Sequence, residues 1–205
     1  TPLYSSAASD VYKRQYLLQL VIDFSKHIFG LNHISNGQTA AFIKKQPEEQ
    51  YELIKHLHGD LLAFYVKQQA AQFQPDEVVR LQRLMSAVRN SMYAAKSVKD
   101  AWQDVTILRN SSNDQKYRHY TESKETIRHL LTTINQLLLQ QRTEQTGATL
   151  IQLYKQMIEQ YTQELRELYR QSSIEQLNET EISTIINYNR ELYTCLLYTS
   201  DAADE

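Results

Sequence analysis

QPDEVVRLQRLMSAVRNSMYAAKSVKDAWQDVTILRN, residues 74–110, is the stretch that decides the fold. Pro75 follows Gln74, and Asp76 and Glu77 come next. Proline suits the first helical position because its missing N–H has no partner there, and carboxylates suit the positive end of the helix dipole. Neither glycine nor proline interrupts the run from Asp76 to Asn110. Leu81, Val88, Ala95 and Trp102 recur at one seam position, and Leu84, Ser91, Val98 and Val105 at the other. Met85 and Met92 widen the stripe. That heptad spacing predicts one long helix with an apolar face to bury.

The same pattern extends outward in both directions. Toward the N-terminus, Pro47 with Glu48 and Glu49 opens a helix reaching about Gln72. An earlier helix spans Tyr16 to about Leu31, and Asn36-Gly37 marks a turn between the two. Toward the C-terminus, Asn110-Ser111-Ser112-Asn113-Asp114 is a loop and cap cluster. Beyond it, Tyr117, Tyr120, Lys124, Ile127, Leu131, Ile134 and Leu138 alternate at three and four, until the polar tract RTEQTG at 142–147. A fifth helix carries Leu150, Tyr154, Met157, Tyr161, Leu165 and Leu168, and a sixth starts near Asn178. With only 4 Gly and 3 Pro in 205 residues, little interrupts helix. The expected fold is all-α, with two tandem antiparallel three-helix bundles over residues 16–110 and 111–194.

The two ends read differently. SSAASDVYKRQ at 5–15 back-translates to an oligonucleotide whose reverse complement, read one base in, encodes CLLYTSDAADE, the sequence at 195–205. Both resemble the adapter of a transposase-based sequencing library. Residues 1–15 and 195–205 are therefore expected to be adapter-derived and to contribute nothing to the fold. On that reading the second bundle is incomplete, because its last helix is still running at Thr194.

Charge narrows the function classes. Leaving out Lys13 and Arg14 reduces the 22 basic residues to 20, and leaving out Asp10, Asp201, Asp204 and Glu205 reduces the 24 acidic ones to 20. A formally neutral segment lacks the basic face that a nucleic-acid partner requires. The single cysteine, Cys195, lies in the adapter-like tail, so no disulfide partner is expected. No apolar run reaches the roughly 18 residues of a membrane span.

Residues able to do chemistry are sparse. His56 and His58 are two apart on a helix, so they point about 200° apart and do not share a metal easily. His27, His33, His119 and His129 are scattered and read as solvated or partly buried. No HExxH pair or glycine-rich phosphate loop occurs. No catalytic residue, metal ligand or cofactor is assigned on these grounds.

Two motifs remain. In MSAVRNSMYAAKSVKDAW, Arg89, Lys96 and Gln103 recur every seven residues beside the apolar seam, with Asp100 among them. These charges are either solvated or paired between helices, or they form a docking surface where Arg89 and Lys96 meet a carboxylate or phosphate. Ser91, Ala94 and Ala95 would let another helix approach closely. In ISTIINYNRELYT, Asn187, Asn189, Arg190 and Glu191 crowd polar groups beside an apolar face. Asparagine is mildly unfavourable inside a helix, so a specific network with tyrosines is expected there. A faint repeat links the halves: Tyr65, Phe73, Glu77 and Val78 match Tyr169, Leu177, Glu181 and Ile182 at one offset, and Arg89 matches Arg190 at one slightly shorter.

The runs YELIKHLHGDLLAFYV, LMSAVRNSMYAAKSVKD, RNSSNDQKY and ISTIINYNRELYT together resemble the PhoU-like C-terminal region of bacterial sodium-dependent phosphate symporters. The resemblance covers most of residues 51–194. It implies a non-catalytic regulatory domain on the cytoplasmic face of the inner membrane. Its partner would be the membrane transport domain of the same polypeptide, or a signalling protein. Arg89, Lys96, Asp100, Asn187, Asn189 and Arg190 are the candidate interaction surface. Alternatives are a soluble PhoU-type metal-binding regulator and a generic helical scaffold. PhoU proteins carry an acidic E/DxxxD pattern that binds metal. Here Met92 and Lys96 stand at those positions in the first half, so the metal site is not carried over.

Overall fold

The computed structural model describes residues 2–31, 39–69, 74–140, 143–175 and 178–204. His33, Asn36-Gly37, Phe73 and Leu177 fall outside them. Among the described residues the chain forms seven helices and no strand: α1 Pro2–Ile28, α2 Ala40–Ile43, α3 Pro47–Gln69, α4 Pro75–Arg109, α5 Asp114–Leu139, α6 Glu144–Glu175 and α7 Glu179–Asp204.

The helix starts follow local chemistry. The Gln74 N–H donates to the Glu77 carboxylate at 2.9 Å. At α7, the Glu181 N–H donates to Asn178 Oδ1 at 2.9 Å and the Asn178 N–H donates back to Glu181 Oε2 at 3.1 Å. Thr143 and Thr146 exchange the same pair of bonds at α6. Each closes N–H groups that the first turn would otherwise leave open. Of the polar tract, residues 143–147 thus open α6, and α5 has already ended at Leu139.

α1, α3 and α4 pack on one another, and α7 packs on both α5 and α6. The most extensive interface is between the two groups, where α4 lies against α7. Tyr93 of α4 meets Tyr198 of α7 with ring centroids 5.1 Å apart, while Asp104 sits near Arg190 and Glu191. The two helices are therefore antiparallel. The predicted seam of α4 is buried at Leu81, Val88, Ser91, Ala95, Val98 and Val105, and half-buried at Leu84 and Trp102. Burial extends to Ala87, Ala94, Ser97, Ala101 and Leu108, because α4 has helices on several sides. Its small residues let α7 come close. From Leu17 to Ile28 α1 is buried or half-buried at every position, through Leu17, Leu18, Leu20, Val21, Ile22 and Phe24, whereas Tyr12, Lys13 and Gln15 are exposed. The Leu17–Ile28 stretch is interior, and each of its large aliphatic side chains contributes roughly 1.5–3 kcal/mol by leaving water.

Three further expectations are corrected. α1 begins at Pro2, well before Tyr16. α7 passes Thr194 and continues to Asp204, with Cys195, Leu196, Thr199, Ser200 and Ala202 buried. The tail expected to lie outside the fold has its burying residues at helical spacing, and so it extends the apolar face of α7. Tyr117, placed on the apolar face of α5, is 53% exposed.

α1 ends in a Schellman motif: the Leu31 N–H bonds to Lys26 O and the Gly30 N–H to His27 O. Gly30 has φ 71°, and a Cβ there would lie 2.7 Å from Tyr120 Oη. That hydroxyl donates to Phe29 O at 3.3 Å, tying α5 to the turn. Gly30→Ala adds left-handed strain and a contact that must shift. It is expected to cost about 1–3 kcal/mol, read as a lower Tm in thermal melts.

Candidate functional site: the α4 face and the cleft beneath α7

α4 presents Arg89, Lys96 and Asp100 as exposed residues on one strip, with Tyr93 between the two cations and 49% exposed. Seven-residue spacing and the burial of Val88, Ala95 and Val98 beside them produce that strip. The α7 candidates divide. Arg190 is exposed, its Nε 3.3 Å from Glu191 Oε1. The antiparallel pairing sets it near Asp104 instead of Arg89. Burial raises the Asp104 carboxyl above its usual range, with nearby Arg190 opposing and Glu191 assisting. Asn187 is half-buried. Asn189 is fully buried, with Oδ1 2.7 Å from His119 Nε2. It belongs to an interior network and is removed from the exposed surface.

That network is the feature that sequence reading found only in outline. Ser123 Oγ donates to Tyr120 O at 2.9 Å, so its one proton is used, and at 2.5 Å it accepts from Tyr188 Oη. The Tyr188 ring stands edge-on to His119 at 5.7 Å and to Phe29 at 6.1 Å. Tyr193 Oη donates to Glu164 Oε1 at 2.7 Å, and its ring stacks on Tyr161 at 4.9 Å. Tyrosines were expected around the Asn-rich motif. Their partners on α5 and α6, His119, Ser123 and Glu164, carry no sequence motif and are brought in by packing.

Between α5 and α6 lies a cleft of about 310 Å³, lined in part by His119, Glu122, Ser123, Glu164, Glu167 and Leu168. Its chemistry is rich in acceptors. Tyr193 and Gln160 both donate to Glu164, while Glu167 holds Arg170 through both oxygens. Ser123 and His119 share the cleft, but the serine proton goes to a backbone carbonyl and His119 Nε2 is engaged by Asn189. This is not the arrangement of a base activating a nucleophile. Among the described residues no group of three or more His, Cys, Asp or Glu side chains converges to hold a metal ion. No described helix is long and apolar enough to cross a membrane.

Burial raises the phenols of both Tyr188 and Tyr193 above the usual tyrosine range, and the Glu164 carboxylate raises Tyr193 further. A phenol whose folded pKa lies above its unfolded value supports the fold below the unfolded value of about 10 and ceases to do so as pH rises further. Alkaline unfolding is therefore expected to begin near pH ~10, with tyrosinate absorbance and loss of helical circular dichroism rising together. Complete titration of the tyrosines with helicity intact would contradict the buried network.

No protein-family model, no curated protein and no solved structure matches this chain.

Proposed function

We propose that the chain is a non-catalytic helical regulatory domain that docks through the exposed face of α4. The observation that carries this reading is the strip of Arg89, Tyr93, Lys96 and Asp100, held outward on a helix whose Val88, Ala94, Ala95, Val98 and Val105 are buried in the core. A cationic pair flanking an exposed aromatic ring suits a carboxylate- or phosphate-bearing partner face, since both charges are solvated and available. Together with the resemblance of its motifs to the PhoU-like region of sodium-dependent phosphate symporters, this points to a role at the cytoplasmic face of the bacterial inner membrane. There the domain tunes phosphate flux by docking on the transport domain or a signalling partner. Arg89 and Lys96 are the contact residues, Asp100 sets the polarity of the strip, and Arg190 contributes from α7 beside Asp104.

The test is charge reversal in the intact transporter. Arg89→Glu with Lys96→Glu is expected to leave Tm within about 1 °C, because exposed charges contribute little to stability, while changing the rate of phosphate uptake several-fold. Unchanged uptake with unchanged folding would remove the strip from the mechanism. Stoichiometric iron or zinc in the purified chain would instead favour a PhoU-type metal-binding regulator.

A further inference from the structure

Resting on the docking role proposed for the α4 strip, we infer that its partner presents a single α-helix there, carrying two carboxylates seven residues apart with an apolar side chain between them. The strip has a fixed order: Arg89, Tyr93, Lys96 and Asp100, at steps of four, three and four. Those steps keep all four on one face of the helix, and all four are exposed. Among the described residues none of the three charges is held in an ion pair. At the helical rise, Arg89 and Lys96 stand about 10 Å apart along the axis, and the whole strip spans roughly 16 Å. A helix laid along it meets the two cations with carboxylates at the same seven-residue interval.

The strip lies between two flanking helices. Tyr93 and Lys99 stand three residues before and after Lys96, so they point about 60° to either side of it. Tyr93 meets Tyr198 of α7 at 5.1 Å, and Lys99 Nζ lies 4.5 Å from the ring centre of Tyr51 on α3. With α7 on one side and α3 on the other, a rod of helical width suits the strip and a flat lipid surface does not. Charge order selects the same occupant. Asp100 repels a phosphate or an anionic headgroup, but it pairs with a cation placed four residues beyond one carboxylate of a helix. Tyr93, 49% exposed, offers its ring to the apolar side chain between the carboxylates.

The probe is an alanine-rich helical peptide carrying Glu, Leu, Glu and Lys at steps of four, three and four, made in both chain directions and labelled for fluorescence anisotropy. Titrated with the full chain, one direction is expected to bind. Arg89→Glu with Lys96→Glu should weaken that binding about tenfold or more, and exchanging the two peptide glutamates for lysines should restore it. Asp100→Lys should weaken it several-fold, whereas it would strengthen binding to phosphate or to an anionic membrane. Failure of both peptides to bind overturns the inference, as does an affinity unchanged by the double reversal. So does binding of phosphatidylglycerol vesicles or inorganic phosphate that is lost in the double reversal and increased by Asp100→Lys. If the peptides fail while the double reversal still alters phosphate uptake by the intact transporter, the helical partner is wrong and the docking strip stands.

Discussion

Val98→Asp is expected to unfold the chain at ambient temperature. Val98 is fully buried on the seam of α4, between Ala94 and Ala101, which are also fully buried. Aspartate there loses the valine's burial, roughly 1.5–3 kcal/mol. It also places a carboxyl group in apolar surroundings. An ionised carboxylate without a partner is not tolerated there, and a protonated one still leaves buried polar atoms at a cost of roughly 1–3 kcal/mol or more. The sum approaches the 5–15 kcal/mol that holds a typical domain. Gln103, five residues on and exposed, is the control: Gln103→Asp should shift stability by no more than about 0.5 kcal/mol. Circular dichroism and gel filtration distinguish the two. A folded, soluble Val98→Asp protein would mean that this face of α4 is not interior.

The second large effect concerns the tail. Leu196→Ala is expected to cost about 2–5 kcal/mol, lowering Tm by roughly 5–15 °C at the slope usual for a chain of this size. Leu196 is fully buried, and neighbouring Cys195 has its Sγ 3.5 Å from Ser25 Oγ of α1. Burial raises that thiol to a pKa of about 11, which keeps it protonated and unreactive. If residues 195–205 hung free as an appended tail, Leu196→Ala would leave the melt unchanged. The substitution therefore separates the coding origin of the two ends, suggested by their mirrored oligonucleotide, from their physical role.

Much of the architecture is legible in the chain because helix is a local decision. The start at Gln74-Pro75, the acidic first turns of α3 and α7, and the cap cluster before α5 are each written within four residues. The seam of α4 is legible because apolar residues recur there every seven positions, while the further burial of Ala87, Ala94, Ser97, Ala101 and Leu108 comes from helices on its other sides. What depends on a third helix is not legible. Asn189 and Arg190 are adjacent in sequence, yet one is fully buried against His119 and the other exposed. Only the direction of α7 relative to α4 and α5 separates them. Ser123 reads as one more polar residue in α5 until Tyr188 is seen donating to it. α2 is too short to carry periodicity. It is held by Gln50, whose amide N–H donates to Phe42 O at 3.0 Å and whose carbonyl lies 2.8 Å from His27 Nδ1.

The close antiparallel pairing of α4 with α7 joins the two three-helix groups into one core and leaves Arg89, Lys96 and Asp100 outward. A nuclear Overhauser spectrum of the tyrosine-labelled chain tests it most directly. Cross-peaks between the rings of Tyr93 and Tyr198, whose centroids are 5.1 Å apart, are the expected result. Cross-peaks between Tyr161 and Tyr193 without any between Tyr93 and Tyr198 would show α6 and α7 formed but α4 packed elsewhere, and would contradict the shared core.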